Sequence, residues 1–154
     1  MSILLSALLF TTTAFTASAQ PSSHHGPAAA KAADAAAAPE PENILPGENK
    51  KCPMPEGYYF TYRFASRPKL GTAIVKIQVF DRAGRRTTGF SIKGNCGMPE
   101  MKGAHDSGEQ DFKLSRKGDY LLPVDVVMPG EWKLNITFLK GKKRFHHGAF
   151  MFKV

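Results

Sequence analysis

From residue 58 onward the chain alternates apolar and polar residues in short runs, and each run is broken by turn residues such as Gly, Pro and Asp. A repeat of two is that of a strand with one face buried, and no segment shows the helical spacing of i, i+3, i+4 over a useful length. The pattern predicts strands over 58–66, 72–81, 87–93, 110–115, 120–128, 132–139 and 144–153. Faces follow from the same period. Ala73, Val75, Ile77 and Val79 are expected inside, with Lys76 and Gln78 toward water. Tyr120, Leu122, Val124 and Val126 form a second inward row, Trp132, Leu134, Ile136 and Phe138 a third, and Phe150, Phe152 and Val154 close the core. Gly148, inside the last run beside His146 and His147, reads as a bulge.

The turns have chemical reasons. Asp81-Arg82-Ala83-Gly84, Lys117-Gly118-Asp119, Pro129-Gly130 and Lys140-Gly141-Lys142 each put Gly or Pro where a tight reversal needs it. About seven strands in about 100 residues make an all-β domain, an immunoglobulin-like antiparallel β-sandwich.

Ahead of it lie two segments of other composition. Residues 1–19 are Leu/Ala/Phe-rich and end in Ala17-Ser18-Ala19, the small-x-small pattern of a signal peptide cut. Cys does not follow the cut, so no lipid anchor is expected. Residues 20–51 are rich in Ala, Pro and Glu and read as a disordered linker, in which His24 and His25 are solvated. The folded domain is thus expected over 52–154, in the periplasm or secreted, with no transmembrane segment in the mature chain.

Of 21 basic and 13 acidic residues, three and four precede residue 52, which leaves 18 against 9 and a net charge of +9 on the domain. The cations are scattered along the sequence and read as solvated strand faces. The same excess would steer acidic partners toward the domain.

Chemistry concentrates between residues 96 and 105, where Cys96, Met98, Met101 and His105 supply a thiol, two thioethers and an imidazole. Soft donors at this density suit Cu(I). Met98 and Met101 flank Pro99 in a loop-like segment, His105 would complete a trigonal set, and Met128, at a strand end, would reach the same rim. The same methionines also suit a simpler role, filling gaps at the end of a sandwich. Cys96 has two readings as well. It is a thiolate ligand beside Met98, or it pairs with Cys52 in a disulfide worth about 3 to 4 kcal/mol in the chain-entropy model.

Taken in order, Gly71 opening a hydrophobic strand, the turn Asp81 to Gly84, Met98-Pro99-Glu100-Met101, His105, Gly118-x-Tyr120 and Met128-x-Gly130-x-Trp132 resemble the YtkA-like domain family. That extracytoplasmic, immunoglobulin-like family is itself similar to FixH proteins and to periplasmic copper carriers of the CopC type. The resemblance covers most of residues 71–154 and implies a β-sandwich associated with copper handling. One departure is Lys102-Gly103-Ala104 before His105, where the family often has another Met.

Enzyme signatures are lacking. His105-Asp106-Ser107 holds triad residue types, but sequence neighbours point apart, whereas a triad needs convergence in space. There is no Gly-rich phosphate loop, and the aromatic residues lie in core rows rather than on a nucleic-acid stacking face. Two functions are therefore expected: a non-enzymatic accessory protein that holds or passes Cu(I) to an envelope or periplasmic protein partner, or a metal-free module that docks an envelope complex or polyanion.

Overall fold

The computed structural model describes residues 43–101 and 105–154. The expected signal peptide, the linker up to residue 42, and Lys102 to Ala104 lie outside the described residues. Among the described residues nine strands form: β1 (Cys52–Pro53), β2 (Tyr59–Phe64), β3 (Gly71–Phe80), β4 (Ser91–Gly97), β5 (Gln110–Asp111), β6 (Lys113–Leu114), β7 (Tyr120–Val126), β8 (Glu131–Lys140) and β9 (Lys143–Lys153). They make a five-stranded sheet ordered β1-β2-β3-β7-β6 and a four-stranded sheet ordered β5-β4-β8-β9, antiparallel throughout. The two sheets pack as an immunoglobulin-like sandwich.

The inward rows are those that the alternation predicts. Val75, Ile77, Leu134, Ile136, Phe138 and Phe60 are fully buried, and Trp132 nearly so. Each such side chain contributes about 1.5–3 kcal/mol by leaving water. Aromatic pairs join the sheets: Phe60 and Phe138 lie 4.5 Å apart, and Tyr62 stacks on Phe150 at 4.1 Å.

Five local readings change. The run predicted over 87–93 becomes a strand four residues later, so Cys96 and Gly97 lie in β4 and not in a loop. Within that strand position 94 is glycine because a side chain there would meet Leu122 at 2.7 Å and Phe112 at 2.9 Å. The run at 110–115 splits at Phe112: β5 pairs with β4 in one sheet and β6 pairs with β7 in the other. Phe112 is buried at the crossing.

The irregularity in β9 is not at Gly148, which pairs regularly with Ile136. The register shifts where Phe138 faces His146 and Leu139 faces Arg144, leaving Phe145 as the extra residue. Gly148 instead makes room for an incoming segment, because a Cβ there would lie 2.5 Å from Leu45. That segment, read as linker, belongs to the sandwich. Ile44 bridges Ala149, Leu45 is buried, Tyr62 Oη donates to Pro46 O at 2.7 Å, and the Phe64 amide donates to Glu48 Oε2 at 3.2 Å.

Lys76 and Gln78 do not simply face water. Both reach Asp119, Lys76 Nζ at 2.6 Å and Gln78 Nε2 at 2.8 Å, and Arg86 pairs with the same carboxylate. Burial pushes the Asp119 pKa up, but the bonds from Lys76, Gln78 and Arg86 outweigh it and bring it down to about 2. Next in sequence, Tyr120 Oη donates to Phe90 O at 2.8 Å and accepts from the Phe90 amide at 3.3 Å, fixing the start of β7 to the chain entering β4.

Candidate functional site

The sulfur-bearing segments meet at the end of the sandwich where β4 and β7 stop and β8 begins. After β4, the Met101 amide donates to Met98 O at 3.1 Å and closes residues 98–101 into a turn. Met98 is half-buried and packs on the core. Its terminal methyl lies over Gly130, where a Cβ would come within 2.6 Å of it, and Gly130 has φ 144, which favours glycine.

The facing loop, 127–130, is pinned from two sides. Gly130 N donates to Val154 O at 2.8 Å and Val154 N donates back to Gly130 O at 3.0 Å. Trp132 Nε1 donates to Met128 O at 3.2 Å. Met128 is itself half-buried against the core. Two of the predicted donors, Met98 and Met128, thus sit in two touching loops, each anchored by backbone bonds. Met101 is exposed in the same turn as Met98.

His105 is exposed and adopts a left-handed φ of 63°. It opens on a cleft of about 210 Å³ whose walls include Asp106, Gln110, Asp125, Val127 and Trp132. Ser107 holds this stretch to β4: its amide donates to Cys96 O at 2.8 Å and its Oγ accepts from the Cys96 amide at 3.0 Å. Ser107 Oγ also donates to Gly108 O, so its partners are backbone groups and not His105.

Cys96 is a core residue. Its side chain is buried between the sheets, and burial, followed by the nearby Asp106 charge, pushes its pKa up to about 12. A metal ligand needs the thiolate, so Cys96 would have to lose its proton to join the methionines. The expected disulfide does not form. Cys52 and Cys96 are both free and buried, Cys52 on β1 at the edge of one sheet and Cys96 on β4 inside the other. Cys52 Sγ faces Lys50 O at 3.6 Å instead.

The paired imidazoles of β9 face opposite sides. His146 lies among Phe60 and Phe138, and burial, then His147, lowers its pKa. His147 Nδ1 shares a hydrogen bond with Thr137 Oγ1 at 3.2 Å. Among the described residues, no three His, Cys, Asp or Glu side chains gather as a metal site would require. The side chains gathered at the rim are the thioethers of Met98, Met101 and Met128, with His105 on the cleft beside Val127 and Trp132.

Gly130 and the Asp125–Trp132 cleft were not expected as site features. Gly130 and Trp132 stand in the Met128-x-Gly130-x-Trp132 motif, which was the available signal; Asp125 had none. Comparison with protein-family models finds no match, and comparison with curated proteins finds none either.

Proposed function

We propose that this is an exported accessory protein, periplasmic or secreted, that holds Cu(I) at the rim built from residues 98–101 and 127–130 and passes it to a protein partner. The observation that carries the reading is the contact of Met98 with Gly130, which brings the turn of Met98 and Met101 against the loop of Met128. The resemblance to YtkA-like domains and the signal-like residues 1–19 support the same reading.

The donors divide by burial. Met98 and Met128 are held by packing and bind without being reorganised. Met101 and His105 are exposed and are the donors that an incoming ligand of the partner displaces first. Thioethers are neutral and soft, so they favour Cu(I) over the harder divalent ions, and their binding releases no proton.

The test is an anaerobic titration of Cu(I) against a chromophoric chelator, with the Met98→Leu, Met101→Leu double variant in parallel. Leu keeps volume and apolarity but removes sulfur. One ion per chain, with a loss of affinity of about tenfold or more in the variant and an unchanged melting temperature, is the expected result. Equal affinities would overturn the role of these methionines, and no binding at all would overturn the copper reading.

A further inference from the structure

The opposite end of the sandwich gathers cations that the sequence keeps far apart. The loop between β3 and β4 brings Arg82, Arg85 and Arg86 there, and the loop between β6 and β7 brings Arg116 and Lys117. The hairpin of β8 and β9 adds Lys140, Lys142, Lys143 and Arg144. Three carboxylates, Glu56, Asp81 and Asp119, oppose nine cations, so this end carries +6 of the +9 on residues 52–154. At the methionine end, among the described residues, Arg67, Lys69, Lys133 and Lys153 are balanced by Glu100, Asp106, Asp125 and Glu131.

The loops are joined. Arg86 donates to Gly118 O at 2.9 Å, and Lys140 pairs with Glu56 at 2.7 Å. Two adjacent clefts of about 250 and 310 Å³ share Glu56 as a wall; Arg82 and Arg85 line the first, and Lys140, Lys143 and Arg144 the second. Tyr58 flanks the first and Phe145 the second, with Lys140 Nζ lying 5.0 and 5.2 Å from their rings.

We propose that this end is a docking surface for an acidic peptide segment of a partner protein. A carboxylate already lies in it: Glu56 stands between both clefts against Lys140, in an exposed pair weak enough for incoming carboxylates to replace. Arginine forks at the rim match carboxylates in a bidentate manner. A bilayer surface fits less well, because such docking buries apolar side chains and, among the described residues, only Leu114 of the large exposed hydrophobics sits at this end. The surface is independent of the methionine rim and stands whether or not copper is bound.

The test is the fluorescence anisotropy of a labelled decaglutamate peptide on the full chain at low and at physiological ionic strength. The Arg82→Glu, Lys143→Glu variant is compared with Arg67→Glu, Lys69→Glu, which makes the same charge change at the other end. Expected is salt-sensitive binding that falls about tenfold or more in the first variant and less than about twofold in the second. If the first variant fails to fold by its thermal melt, Arg82→Gln, Lys143→Gln replaces it, with a drop of about threefold expected. Equal loss in both variants would reduce the effect to net charge and overturn the assignment. So would absence of peptide binding, including the case where vesicles of phosphatidylglycerol bind and the peptide does not.

Discussion

Asp119 is 4% exposed, and its charge is balanced only by what touches it. Its folded-state pKa of about 2 lies below the ordinary value of 3.8, so the ion pairs stabilise the fold above about pH 4. That contribution is lost as the pH falls through 2. Asp119→Asn keeps the shape and removes the charge facing Lys76 and Arg86. It is expected to lower stability at pH 7 by about 2 kcal/mol and to flatten the acid limb of melting temperature against pH. Denaturant midpoints at pH 7, with thermal melts between pH 2 and 5, decide it; two superimposable pH profiles would refute it. The two thiols are shielded in a different way. Burial pushes Cys52 up to about 11 and, with Asp106, Cys96 to about 12, both above the ordinary 9. Stability from these neutral thiols is therefore full below pH 9 and lost as the pH rises through 11 to 12. At pH 8 an aromatic disulfide reagent should find almost no reactive thiol in the native chain and two after denaturation. A count of zero after denaturation would mean that the cysteines are bridged.

At the scale of elements, the segment ahead of β1 matters most, because a stretch with linker composition supplies a core side chain. Leu45→Ala is expected to cost about 2–4 kcal/mol, and Gly148→Ala to be destabilising because its methyl collides with Leu45. The two changes share one space, so the double variant should be more stable than the sum of the single losses. Chemical denaturation of all four proteins measures that coupling, and strict additivity would show that the contact at 2.5 Å is not what keeps residue 148 small. The long strands and inward rows were legible because period two is a local property of β3, β7 and β8. Phe112 was not, since nothing local says that the residues on its two sides pair with different sheets. Leu45 escaped for a related reason: one apolar residue among Pro, Gly and Glu has no period. The methionine loops were legible as chemistry, but the seat of Met98 over Gly130 joins residues 32 apart in sequence and needed the fold. The same limit made the cations of three separate loops look like a scatter.

On the scale of the whole molecule the sandwich has two unlike ends, one lined with thioethers and nearly neutral in charge, the other strongly positive. A partner with an acidic segment would orient the chain with the methionine rim facing away, or would reach both ends if long enough to span the strands. Such neighbours as β3 with β7 and β4 with β8 are distant in sequence, which places folding in the slow, non-local class. The crossing at Phe112 adds something further. Because residues 110–114 are hydrogen-bonded to both sheets, the crossing acts as a seam, and neither sheet can slide past the other without breaking it. Amide protons of β4 and β7 should then exchange with solvent through a single shared opening, with protection free energies that agree within about 1 kcal/mol. In Phe112→Ala the seam loosens, and the two sheets should exchange as separate units.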